Sequence, residues 1–419
     1  MRTYQQALFF LNSFLNLEQV PKPESRLWNL KRMRELLGIF HHPEKGKFIV
    51  LIAGTKGKGS TGYFLSEILR QSGLKVGFYH SPHLEEPRER IWMGGKPVSR
   101  SDFAKGLLQM KRRLKIVGGR SHAPLQKRYT YFEILTLLAA LLFKEKKVQI
   151  AVFEVGMGGR LDATRVLPAQ LFILTPIHYD HEAFLGNTLA EIAHEKAAIL
   201  RPDCQVVVAP QKGEAGQVIR QTAHKKRCKI CPPLPLKKDD HVGLLGDFQK
   251  GNAAMALRAA TLLRDKHRFP LTQEGMRKGL ASNRWPGRME LLKGRPSILL
   301  DGAHNPYAIA TLCRNLKRLF PKQRKILIFG TSRDKKSERM FPQLSKLFEI
   351  CILTRSRSPR AKELGRLLTE AKGQFRFVLP APFPEDALAL ARKLARPQDL
   401  IVVTGSFYLI GELRRPCRR

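Results

Sequence analysis

Seven residues, Gly54-Thr55-Lys56-Gly57-Lys58-Gly59-Ser60, join three glycines to two lysines directly after the apolar run 48–53 and before an amphipathic stretch. Glycine lets a chain turn its N–H groups toward an anion, a helix start adds partial positive charge, and lysine neutralises phosphate oxygens. The expected ligand is a nucleotide phosphate, wrapped by Gly54, Thr55, Gly57, Gly59 and Ser60, with Lys58 on the β- and γ-phosphates. The spacing departs from GxxxxGK[ST], because Ile52 stands where the first glycine would be and Gly59 follows the lysine. A plain surface turn would need neither that lysine nor the flanking strand and helix. Two further chemical groups follow strands: Glu154, ahead of Gly156-Met157-Gly158-Gly159, and Asp180-His181. Carboxylate and imidazole at the carboxyl edge of a parallel sheet lie where ligands of such folds bind, and they suit Mg²⁺, which takes hard donors and keeps waters and phosphate oxygens.

These residues need strands and helices in alternation, and the apolar pattern supplies them. Strands are expected at 48–53, 76–80, 148–155, 171–175 and 205–209, with helices at 60–71 and 131–143. A second series of strands is expected at 297–300, 325–329, 350–354, 375–379 and 400–404. Ser282-Asn283-Arg284-Trp285-Pro286-Gly287-Arg288 breaks both regular structures and divides the two series. The fold class is therefore α/β: a P-loop-type ATPase domain with a parallel-rich sheet over residues 1–284, a linker at 285–289, and a smaller Rossmann-like domain over 290–419.

A chain of 419 residues, 43% hydrophobic and 26% charged, buries a core without disulfides. Its apolar runs are too short for a membrane span, and its first residues have no signal-peptide pattern, so a cytoplasmic protein is expected. The six cysteines form no regular framework. Cys228-Lys229-Ile230-Cys231 has metal-ligand spacing but no companion pair, so no zinc site is expected. The formal charge of +40 invites a nucleic-acid reading, yet the basic residues are spread along the chain, and nucleic acid is not expected as a partner.

The motifs together resemble the bacterial folylpolyglutamate synthase/dihydrofolate synthase family of Mur ligases. The resemblance runs through the phosphate loop, Ser81-Pro82-His83-Leu84, Thr130-Tyr131-Phe132-Glu133, Asp180-His181 to Ile199, Gly246 to Asn252, Arg284 to Arg288, Asp301-Gly302-Ala303-His304-Asn305-Pro306 and Gly405-Ser406. It departs at Lys56, Phe248, Tyr307 and Lys336. The resemblance implies two domains that close over the reaction, with ATP and Mg²⁺, a pterin or folate substrate and L-glutamate, in a monomer. ATP would phosphorylate a carboxylate, and the glutamate amine would displace phosphate. Ser81, Glu154 and His181 would be metal ligands, Lys196 a carbamate, and Asn252 a neighbour of adenine. Arg288, Asp301 and His304 would hold nucleotide phosphate and ribose, with His304 also in the chemistry, and Pro82, His83 and Tyr131 would serve the substrate. Two plainer readings stand beside these: Lys196 as a solvated lysine on a helix whose Thr188-Leu189-Ala190-Glu191 start is a capping box, and His304 as a loop histidine. Rival functions are another Mur-family amino-acid ligase and a nucleic-acid-stimulated NTPase.

Overall fold

A computed structural model describes residues 2–17, 29–118, 128–211 and 213–418. The chain forms two compact units. The first comprises Met1–Pro82, Pro87–Val242 and Lys250–Ser282; the second comprises His83–Glu86, Gly243–Gln249 and Asn283–Arg419. Two short segments thus join the second unit from earlier in the chain, and local bonds explain why. Glu85 pairs with Arg414 at 3.0 Å, and Asp247 accepts from Arg318 at 2.8 Å while its N–H donates to Asn315.

The first unit is built on an eight-stranded sheet in the order β4-β3-β2-β5-β1-β6-β7-β8. Its strands are β1 (Phe48–Ala53), β2 (Val76–Tyr79), β3 (Ile91–Met93), β4 (Lys96–Pro97), β5 (Ile150–Glu154), β6 (Leu171–Leu174), β7 (Gln205–Val208) and β8 (Lys229–Cys231). The six from β2 to β8 run parallel, and β3 and β4 add an antiparallel edge. Strand β1 is central and almost wholly buried, because crossover helices cover both faces of a parallel sheet. The helix Tyr131–Glu145 buries Ile134, Leu135, Leu138, Leu142 and Phe143 in the core that also holds Phe103 and Phe153. Each such side chain contributes roughly 1.5–3 kcal/mol on burial, and Leu138→Ala would cost about 2–5 kcal/mol. Its start is fixed by a capping box, Thr130 with Glu133, which the apolar pattern alone did not reveal. The helix Lys58–Gln71 is pinned from outside by the helix Gln273–Leu280, whose Gly279 lies so close that a Cβ would sit 2.3 Å from the Ile68 Cα.

The second unit carries a six-stranded sheet in the order β13-β12-β11-β14-β10-β9. Here β9 (Glu290–Leu292) is antiparallel to β10 (Ser297–Leu300), while β10, β11 (Lys325–Phe329), β12 (Ile350–Thr354), β13 (Phe377–Ala381) and β14 (Leu400–Thr404) are parallel. Side-chain alternation splits its core in two, with Leu299, Leu327 and Val402 on one face and Ile298, Ile326 and Ile401 on the other. The α/β class with two mostly parallel sheets expected from the sequence is the one observed. Among the described residues no helix is long and apolar enough to cross a membrane.

Candidate active site

In the first unit the chain leaves β1 at Gly54 and enters the helix Lys58–Gln71 at Gly57. Gly57 has φ 88°, and a Cβ there would lie 2.2 Å from the Asn252 Oδ1, so both conformation and space demand glycine. This contact also places the buried Asn252 against the loop. The helix has no side-chain cap, which leaves its first N–H groups for an anion. Lys58 lies in its first turn, two residues earlier than the helix start expected from the sequence. The loop is laced to the segment after β6: the Thr55 and Lys56 N–H groups donate to the Pro176 carbonyl, and the Thr55 hydroxyl donates to the His178 carbonyl at 3.1 Å.

Glu154 ends β5, is 3% exposed, and stands 3.7 Å from the Lys58 Nζ. The Ser81 N–H donates to its Oε2 at 3.4 Å. Asp180 accepts from the Lys56 Nζ at 3.0 Å, and the His181 N–H donates to it at 3.1 Å. Each loop lysine therefore faces one carboxylate. His181 occupies a left-handed position, φ 54°, and remains partly exposed. Among the described residues no three His, Cys, Asp or Glu side chains assemble into a metal cluster. The donors available, the Glu154 carboxylate, the Ser81 hydroxyl and the His181 imidazole, fit a Mg²⁺ that retains waters and phosphate oxygens.

Lys196, near the end of the helix Leu189–Ala197, is 4% exposed, which overturns the solvated-lysine reading. The capping box at Thr188 and Glu191 is present as expected and accounts for the helix start, not for this burial. Burial, reinforced by the Lys58 and Lys56 ammonium groups and opposed by Asp180 and Asp162, pulls the amine down to about 7. Asp162 is a residue to which the sequence assigned no role. Its carboxylate accepts from the Gly156, Met157 and Thr164 N–H groups and from the Thr164 hydroxyl, so it fixes the glycine turn after Glu154. A carboxylate shortly after glycines is the signal that could have found it. Tyr131 is buried, with the Arg90 guanidinium 5.5 Å from its ring centre.

In the second unit the Arg288 guanidinium lies over the Phe407 ring at 4.3 Å. Both Asp301 oxygens are taken by backbone, one by Met289 N–H and the other by Ala303 N–H, each at 2.9 Å. Asp301 therefore holds its own turn. The His304 Nδ1 lies 2.7 Å from the Gly302 carbonyl, the geometry of an Nδ1–H donor, and Asn305 caps the helix Pro306–Leu319. His83, at 83–86, and Arg288 belong to this unit, whereas Ser81 and Pro82 belong to the first.

A phosphate loop at the carboxyl edge of one parallel sheet, followed by a separate α/β unit, is the architecture of a nucleotide-binding enzyme. The models of the "Mur ligase middle domain" and the "Mur ligase, glutamate ligase domain" match residues 99–233 and 287–407. A "Dihydrofolate synthase/folylpolyglutamate synthase" from Bacillus subtilis is 32% identical over 410 residues, 92% of this chain and 94% of that one. Among solved structures, a Mycobacterium tuberculosis folylpolyglutamate synthase complexed with ADP superposes with a TM-score of 0.88 at 26% identity, covering 100% of this chain and 99% of that one. A Thermotoga maritima folylpolyglutamate synthase gives 0.82 at 30% identity, covering 98% and 96%. The chain belongs to the folylpolyglutamate synthase/dihydrofolate synthase family of Mur ligases, which are ATP-dependent glutamate ligases.

Proposed function

We propose that the protein, acting as a monomer, joins L-glutamate to dihydropteroate, to folate polyglutamates, or to both, through an acyl phosphate. The observation that carries this reading is the Lys58–Glu154 pair at the uncapped start of the helix Lys58–Gln71. A carboxylate is a poor electrophile, so one of its oxygens attacks the γ-phosphorus of ATP and ADP leaves. The glutamate amine then attacks the acyl carbon, the C–N bond forms, and phosphate departs with the oxygen it gained.

Each residue has a part in those steps. The Lys58 ammonium and the free N–H groups of Gly59 and Ser60 neutralise the β- and γ-phosphates as charge moves between them. Asn252, held against Gly57, packs on adenine. Ser81, Glu154 and His181 would hold Mg²⁺, which would offset phosphate charge. Lys196, with its amine neutral in a good fraction of molecules near pH 7, adds CO₂ and so presents an anionic oxygen in place of a cation. Pro82, His83 and Tyr131 serve the pterin substrate. In the second unit Arg288 and His304 serve the nucleotide, and Asp301 positions the turn that carries Arg288.

Purified protein with ATP should release ADP only when L-glutamate and either dihydropteroate or a reduced folate are both present. ADP release that ignores these substrates but responds to polynucleotide would replace this reading with the NTPase alternative.

A further inference from the structure

Strands β7 and β8 are entered through matching turns. In one, Asp203 takes a left-handed conformation, φ 56°, and Cys204 follows; in the other, Arg227 has φ 54° and Cys228 follows. The strands then pair in parallel, with Gln205 opposite Lys229. The two cysteines, one step earlier, are therefore neighbours across adjacent strands, whose backbones run about 4.8 Å apart. That spacing lies inside the range a disulfide spans.

Bonds on both sides clamp this register. The Asp203 N–H donates to the Lys226 carbonyl and the Lys229 N–H to the Cys204 carbonyl, each at 2.8 Å. The Arg227 guanidinium grips the Asp203 carboxylate with two bonds, at 2.7 and 2.8 Å. The thiols already touch: Cys204 Sγ donates to Cys228 Sγ at 3.1 Å, and Cys228 Sγ donates to the Arg201 carbonyl at 3.1 Å. Cys204 is buried, while Cys228 is half-buried and is the more accessible residue of the two.

We infer that Cys204 and Cys228 are a modification site, a dithiol that hydrogen peroxide converts to a reversible disulfide. The Cys228 sulfur attacks one peroxide oxygen, the O–O bond breaks, and a sulfenic acid and water result. The Cys204 sulfur then attacks the Cys228 sulfur. An S–S bond forms as the S–O bond breaks, and the departing hydroxide leaves as water with the Cys204 proton. The two sulfurs together give up two electrons, which the peroxide accepts. Burial pushes the Cys204 thiol up, so it keeps its proton while Cys228 meets the peroxide and gives that proton to the departing hydroxide as the S–S bond forms.

The new bond closes a loop that contains β7 and the helix Gly213–Lys225, which packs on the helix bearing Lys196. Cross-linking restricts the unfolded chain more than the folded one, so oxidation raises the melting temperature by about 5 °C. The pair lies outside the residues assigned to nucleotide and substrate, so turnover is expected to be unchanged.

The test treats the full-length protein with hydrogen peroxide, alkylates remaining thiols, and maps the digest by mass spectrometry. The expected result is one peptide pair joined through Cys204 and Cys228, released by dithiothreitol, together with a melting temperature that rises and then reverts on reduction. Cys204→Ser and Cys228→Ser should each lose the cross-link and the rise. The inference is overturned if oxidised wild-type protein keeps both cysteines alkylatable, or if Cys228 goes to sulfinic acid without linking to Cys204. Because the mapping is made on the wild-type chain, it decides the matter even if a variant folds poorly.

Discussion

Withdrawing CO₂ from the enzyme should switch it off, and the size of the effect follows from Lys196. At pH 7.5 an ordinary lysine, with a pKa near 10.4, is neutral in about one molecule in a thousand. With its amine lowered to about 7, Lys196 is neutral in about three-quarters of molecules, a gain of several hundredfold in the form that attacks CO₂. Carbamate formation then exchanges a buried cation, close to Lys58 and Lys56, for an anion that both lysines favour. Enzyme stripped of CO₂ should lose most of its turnover, regain it with bicarbonate, and regain it more fully as the pH rises through about 7. Labelling with ¹³C-bicarbonate should give a protein-bound carbamate carbon in the NMR spectrum that Lys196→Ala abolishes. The same variant should lose roughly a thousandfold in turnover and recover part of it with acetate, which can occupy the vacated space. Full activity in CO₂-free buffer, with no protein-bound signal, would refute the reasoning.

Other expectations follow from the same geometry. Lys58→Ala should fold normally by circular dichroism yet lose at least about a thousandfold in turnover, measured as ADP release, because the phosphates lose their charge clamp. Gly57→Ala should weaken ATP binding in calorimetry and cost about 1–2 kcal/mol in urea unfolding, since a Cβ meets Asn252 and φ is 88°. Lys196→Met should flatten the pH dependence of stability. In the wild-type chain the unfolded state binds the extra proton between about pH 7 and 10.4, so stability rises with pH across that window by up to about 5 kcal/mol, and a melt series in CO₂-free buffer measures the slope. If the charge of +40 captures anionic substrates, added salt should raise KM for long polyglutamates more than for the monoglutamate; equal effects would assign the charge to something else.

Strands were legible wherever a buried parallel sheet demands a continuous apolar run. The expected spans 48–53, 297–300, 325–329, 350–354 and 400–404 coincide with those of β1, β10, β11, β12 and β14. The strand expected at 375–379 lies instead at Phe377–Ala381, two residues later. It is an edge strand bonded only to β12, so Pro380 can sit within it, and the proline that suggests an end does not enforce one. The phosphate loop was legible because its chemistry is local. The burial of Lys196, the clamp of Asp162 and the approach of Asn252 to Gly57 were not, since each depends on elements far apart in the chain meeting in the fold. Asp301 adds a second case: its motif suggested a ligand, and only the fold shows that its oxygens also accept the Met289 and Ala303 N–H groups and so brace the turn.

The most direct test of glutamate ligation through an acyl phosphate follows oxygen atoms. The enzyme is supplied with ATP, L-glutamate and a pterin substrate whose reacting carboxylate carries ¹⁸O, and the products are analysed by mass spectrometry. The account predicts a substrate lengthened by one glutamyl unit and one ¹⁸O transferred to inorganic phosphate per amide bond formed. Phosphate without label, or ADP formed with no glutamylated product, would contradict it.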